Sequence, residues 1–211
     1  MNALPLLLCP LLFLLPACDT TKGSGNKVTE DRPVESFTRI RNDSLADVHV
    51  TIDSPPSLSV TIDDNLVEMV TTEVRDGMLV VDTDGNFFNT GGMSVNVSVP
   101  SLDSAETTSS GDIQIIGLKG TAFTATVSGS GDLIASGEVD SIDASNGGSG
   151  TLNLSKLQAR TAKATLTKSG DLQINAAESL EAKSSGSGDL KYSGTPTLDS
   201  KSTGHGKIMP E

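Results

Sequence analysis

The chain of 211 residues carries 27 acidic and 15 basic side chains, a formal charge of −12, and only five Phe, one Tyr and no Trp. Glycine contributes 21 residues, well above the usual ~7%, and serine and threonine add 49. Such a composition speaks against a helical bundle or a thick-cored enzyme and suits short strands joined by tight turns. The acidity argues against nucleic-acid binding, and two His with two Cys are too few for most zinc sites.

Residues 4–15 form an apolar run broken only by Pro5 and Pro10. It is shorter than the ~20 residues that span a bilayer and fits the core of a secretory signal peptide. The run ends in Leu15-Pro16-Ala17-Cys18, which resembles the lipobox of bacterial lipoproteins. That resemblance implies cleavage between Ala17 and Cys18 and lipidation of Cys18, so that residues 1–17 are the signal. It also departs from the pattern, with Pro16 in an unusual place and no Lys or Arg before the apolar run. Asp19 stands where enterobacterial lipoproteins carry an inner-membrane retention signal, which tilts the expectation toward the periplasmic side of the inner membrane, with the outer membrane as the alternative. After cleavage Cys18 is the sole cysteine, so no intramolecular disulfide can form. Residues 18–34 are then the lipidated Cys and a polar tether, whose fifteen residues from Asp19 to Pro33 reach roughly 20 Å.

From Phe37 the chain alternates. Val48 to Ile52, Leu58 to Ile62 and Val95 to Val99 place apolar residues at every second position, the signature of strands with one buried face. Leu66 to Val74 and Met78 to Val81 read as more mixed strands around a hairpin turn at Arg75-Asp76-Gly77. His49 alternates with apolar neighbours and is expected to face solvent. Asp82-x-Asp84-Gly85-Asn86 has acidic spacing but lacks the EF-hand order of Gly and Glu, so it reads as a turn.

The C-terminal half repeats. Ser110-Gly111-Asp112-Ile113 returns as Ser130-Gly131-Asp132-Leu133, Ser149-Gly150-Thr151-Leu152, Ser169-Gly170-Asp171-Leu172 and Ser187-Gly188-Asp189-Leu190, with a worn copy at His205-Gly206-Lys207-Ile208. A second ladder keeps step: Phe123/Ala125, Ile142/Ala144, Ala162/Ala164, Leu180/Ala182 and Leu198/Ser200. Two ladders sharing a period of 18–20 residues define a repeat array, and this period suits one coil of a parallel β-helix. The expected fold is all-β: a right-handed parallel β-helix in the C-terminal half, with less regular strands and hairpin excursions before it. The recurring Gly is expected to supply positive φ to each turn. Each Asp is expected to accept backbone N–H bonds within its own turn. Calcium bridging of paired carboxylates is the competing reading, though the Gly-Gly-x-Gly-x-Asp nonapeptide of calcium-binding rolls is absent.

Phe37-x-x-Ile40, Val48 to Ile52, Leu58 to Ile62, Asp64-Asn65-Leu66, Glu73-Val74-Arg75-Asp76-Gly77-x-Leu79 and the Ser-Gly-Ser-Gly-Asp-Leu copies at 128–133 and 185–190 resemble a bacterial envelope family, the putative auto-transporter adhesin, head GIN domain family. The resemblance covers roughly residues 35–209 and implies a β-helical domain, often behind a lipoprotein signal, with no catalytic residue set. The expected function is a non-enzymatic, lipid-anchored module that contacts an envelope glycan or protein and needs no cofactor. Two alternatives compete with it. One is a self-assembling structural solenoid, since solenoid ends offer strand edges. The other is a polysaccharide-acting enzyme, for which no Ser-His-Asp or Cys-His constellation is readable.

Overall fold

Polar turns at a fixed period bend a chain of alternating strands always in one sense, so the strands stack in parallel. The computed structural model describes residues 20–53, 55–88 and 91–211; the expected signal, Ala17, Cys18 and Asp19 lie outside the described residues. In chain order the strands are β1 (Thr20–Lys22), β2 (Lys27–Arg32), β3 (Arg39–Asn42), β4 (Asp47–Ile52) and β5 (Ser57–Asp63), then a 3-10 turn at Asp64–Met69. Next come β6 (Val70–Arg75), β7 (Met78–Thr83), β8 (Asn86–Phe88), β9 (Ser94–Val99) and β10 (Ser104–Thr107). Three long strands follow, β11 (Ile113–Val127), β12 (Leu133–Asn146) and β13 (Leu152–Leu166). The last five are β14 (Leu172–Asn175), β15 (Ser179–Ser184), β16 (Leu190–Ser193), β17 (Thr197–Ser202) and β18 (Ile208–Pro210).

The array is a parallel β-helix. On its first face Ile113, Leu133, Leu152, Leu172, Leu190 and Ile208 pair rung on rung. On another face Phe123, Ile142, Ala162, Leu180 and Leu198 do the same, beside Ala125, Ala144, Ala164, Ala182 and Ser200. Between these faces the strands bend at a register shift after Ile115 and Ile134, so one continuous strand turns a corner. The interior is slim because half its second ladder is alanine, and Phe123 is the one aromatic residue of that ladder. Tyr192, in step with Ile174, is half-buried against the core. The six residues of β17 are all exposed, Leu198 among them.

The N-terminal half belongs to the same solenoid in an order the chain does not follow. The coil made by β3 and β4 lies directly beneath the one made by β10 and the start of β11. Beneath it in turn lie β7 and β9. The chain thus leaves β9, passes the β3–β4 coil, and resumes stacking above it at β10. Parallel stacking stops where antiparallel strands begin, β6 against β7 and β5 against β9. The β6–β7 hairpin closes at Asp76 and Gly77, both with positive φ, the two-residue turn expected of that sequence.

Two expectations need correction. Residues 66–69, read as the beginning of a strand, belong to the 3-10 turn at Asp64–Met69, because Leu66 and Val67 are both buried there and a strand would send one outward. The tether is also not free chain. β1 pairs in parallel with β8, and β2 pairs antiparallel with β5. Polar β2 lies on the outside of the cap, where its partner supplies hydrogen bonds rather than burial. The mostly buried Arg32 pins it: Nη1 donates to the Val70 carbonyl at 2.6 Å and Nη2 to that of Val67 at 3.0 Å, while Nε meets Glu30. Arg32→Ala should lower unfolding free energy by about 2 kcal/mol, read from the urea midpoint. Arg32→Lys should recover little of it, since an ammonium lacks the fork. An unchanged midpoint for Arg32→Ala would show that β2 is not clamped.

Candidate functional site: a turn column and a flat polar face

Each coil reaches its first-face rung through the Ser-Gly-Asp turn, and in-register rungs stack the turns in one column. Gly111, Gly131, Gly150, Gly170, Gly188 and Gly206 are all buried there. None has positive φ among the described residues, so the expected reason for glycine was wrong. A Cβ on Gly131 would sit 2.2 Å from the Gly111 carbonyl oxygen, one on Gly150 2.1 Å from that of Gly131, and one on Gly188 2.0 Å from that of Gly170. Gly206 over Gly188 is as tight. Glycine is needed because successive backbones touch.

The carboxylates also act between coils rather than within their own turns. Asp112 Oδ1 accepts the Asp132 amide at 2.8 Å, and Asp132 Oδ1 accepts that of Thr151 at 2.6 Å. Asp171 Oδ1 accepts the Asp189 amide and Asp189 Oδ1 the Lys207 amide, both at 2.9 Å. Thr151 interrupts the series. These bonds to charged acceptors offset the ~1 kcal/mol repulsion expected between unit charges one coil apart in water. Among the described residues no three His, Cys, Asp or Glu side chains converge as a metal site. Register adds one copy the sequence comparison missed: Val48 pairs with Ile113, which sets Ala46-Asp47 beneath Gly111-Asp112.

Behind the turns runs a second column, four residues ahead of Ala46 and of each turn glycine: Asn42, Thr107, Val127, Asn146, Leu166, Ser184 and Ser202. Its buried polar members tie the turns from inside. Asn146 Nδ2 donates to the carbonyls of Gly150 and Asp171, both at 2.8 Å, while its Oδ1 accepts the Gly148 amide at 3.0 Å. Asn42 repeats the arrangement with Ala46 and Ser44, and Thr107 Oγ1 donates to the Gly111 carbonyl. Ser184 Oγ is buried without a partner. The constant offset of four from each glycine was the available signal, hidden because Val127 and Leu166 interrupt the polar rungs.

Turned outward on the Phe123–Leu198 face are two parallel columns. One reads Thr124, Asp143, Lys163, Glu181, Asp199 and the other Thr126, Ser145, Thr165, Lys183, Lys201. A shallow groove of about 510 Å³ crosses these coils beside Ser141, Thr161 and Ser179. Lys183 pairs with Glu181 on the same strand, and that hydrogen bond holds the Glu181 carboxyl below its ordinary range and raises the ammonium. The adjoining face carries a paired Arg160 and Glu178. His49 is exposed, as expected.

The comparison with protein families matches residues 36–196 to the one described as Putative auto-transporter adhesin, head GIN domain. The chain belongs to this family. No curated protein matches it. Solved structures with the same fold include a putative adhesin from Bacteroides fragilis, 22% identical over 90% of this chain and 99% of that one, with a TM-score of 0.73. A putative adhesin from Parabacteroides merdae is 22% identical over 92% and 99%, with a TM-score of 0.63. A putative lipid binding protein from Parabacteroides distasonis is 22% identical over 92% and 100%, with a TM-score of 0.57. The head GIN domain here therefore includes the permuted N-terminal coils as well as the repeats. Among its described residues no helix is long and apolar enough to cross a membrane.

Proposed function

We propose that this head GIN protein is a non-enzymatic, lipid-anchored bacterial envelope protein that binds an extended envelope glycan or protein along its flat polar face. The observation that carries the reading is the pair of outward columns. Strand register fixes hydroxyl, carboxylate and ammonium groups at a ~4.8 Å repeat, so an elongated polymer can be met at several successive coils without ordering a loop. The two columns contain no aromatic side chain, so recognition goes through hydrogen bonds and paired charges. Lipidation of Cys18 supplies the anchor, and Asp19 favours the periplasmic side of the inner membrane over the outer membrane.

The test is binding of the labelled, lipidated protein to envelope fractions of its own cell, separated into glycan and protein. Thr161→Glu with Lys163→Glu on the flat face should weaken binding about tenfold, as expected of a central interface position. Gln114→Glu, exposed on the first face, should leave it unchanged. Equal binding by all three proteins, or binding by none, would refute the flat face as a binding surface.

A further inference from the structure

The chain has few aromatic residues, and Phe37 and Phe123 are buried. Phe88 is nevertheless 59% exposed, and so is Leu45. The two belong to one small groove of about 200 Å³ whose other walls are Phe87, Met93 and Gly92. Leu45 comes from the turn between β3 and β4, and the phenylalanines from β8, so no local sequence pattern announces the patch. Two large apolar side chains, each more than half exposed and sharing one groove, offer an apolar contact surface.

The path of the chain says with what. β8 pairs with β1, Thr21 against Phe87 and Lys22 against Phe88. Cys18 is two residues from Thr20 and four from Lys22. At ~3.3–3.6 Å per residue it lies no more than about 14 Å of chain from the residue beside Phe88. The free reach of roughly 20 Å that a flexible Asp19–Pro33 segment would have is replaced by strands. Resting on the reading that Cys18 is lipidated, we infer that the groove of Leu45, Phe87, Phe88 and Met93 seats on the bilayer that holds the anchor. The apolar side chains enter the headgroup boundary, as interfacial anchors do.

The repeat coils then stand away from the membrane, because Gly111 stacks on Ala46, the neighbour of Leu45, and every later turn follows above it. Asp43 and Asp47 flank Leu45 in the chain, and the protein carries a charge of −12. Attraction to anionic lipid is therefore not the source of this contact. It is apolar, and it should persist on zwitterionic vesicles and in high salt.

The absence of Trp makes a single reporter simple. Full chain carrying Phe88→Trp is expressed in a bacterial host, purified from membranes, checked by mass for acylated Cys18, and reconstituted into phosphatidylcholine–phosphatidylethanolamine vesicles with brominated acyl chains. Its emission should shift to the blue and lose most of its intensity to the bromines. Leu45→Trp, on the opposite lip, should behave alike and stands in if the first variant fails to fold. Lys201→Trp, on the distant β17, should emit as in water and keep its intensity. The inference is overturned if the Phe88 and Leu45 reporters match that of Lys201. It is also overturned if, without vesicles, they become shielded from aqueous iodide as protein concentration rises, which would mean that a second copy covers the groove. A mass without the acyl group would defeat the anchor alone. Coupling Cys18 of a Cys9→Ser chain to a maleimide lipid then supplies the attachment, and quenching or its absence decides the groove by itself.

Discussion

Gly150→Ala is expected to destabilise the protein by at least ~3 kcal/mol, at the upper end of overpacking substitutions, and to lower the melting temperature by roughly 10 °C. The methyl group would lie 2.1 Å from the Gly131 carbonyl oxygen and 2.7 Å from its carbon. Neither atom can yield as the end of a side chain would. The coil below is held by the Ser130 and Gly131 amides on the Ser109 carbonyl, and the coil above by the same close approach, Gly170 over the Gly150 carbonyl. Room for one methyl therefore means parting two coils and their ladder bonds.

A pair of asparagine substitutions separates this cause from backbone strain. Gly77 has a φ of +73° and nothing within 4 Å of a Cβ, and asparagine tolerates that conformation better than most residues. Gly77→Asn should therefore shift the melting temperature little, while Gly150→Asn should be at least as damaging as alanine. Equal shifts at the two sites, or a silent Gly150→Ala, would contradict close approach as the reason for the column.

The same residues show what could be read without coordinates. The two ladders were legible because Leu133, Leu152, Leu172 and their kin recur at a period that only stacking explains, and the resemblance to the head GIN family rested on these copies. Recurrence of glycine was equally plain, but its cause was not: positive φ and crowded backbones both demand glycine and leave the same trace. The carboxylates were misassigned for a related reason. Sequence proximity favours a bond within the turn, whereas Asp112 has the Asp132 amide, twenty residues on, at 2.8 Å. Ala46-Asp47 went unread because it lacks the glycine. The order of the first coils was hidden too, since nothing in residues 100–103 tells that the chain skips over β3 and β4. β2 was misread as tether because a strand on the outside of a cap needs no apolar alternation. The flat face could be listed residue by residue, but its flatness belongs to the register. The Leu45–Phe88 groove joins segments some forty residues apart and had no sequence signal beyond an unexplained pair of phenylalanines.

Asn146→Ala should cost about 3 kcal/mol although it removes only a small side chain. Asn146 is fully buried, and it satisfies the Gly148 amide and the Gly150 carbonyl, both in buried residues of the turn it precedes. Alanine leaves both groups without that partner, at ~1–3 kcal/mol each, while the Asp171 carbonyl keeps its bond from the Leu152 amide. Asn146→Asp should be worse, since it keeps the acceptor for Gly148 but sets a buried charge against the Gly150 carbonyl. The column supplies its own control. Ser184 is the Asn146 counterpart two coils on, and its hydroxyl is already buried without a partner. Ser184→Ala should therefore be neutral or slightly stabilising in the same urea titration. If Asn146→Ala and Ser184→Ala move the midpoint by the same amount, the inner column is ordinary packing. If only Asn146→Ala moves it, the side-chain amide, and not the volume it fills, is what secures the turn that follows it.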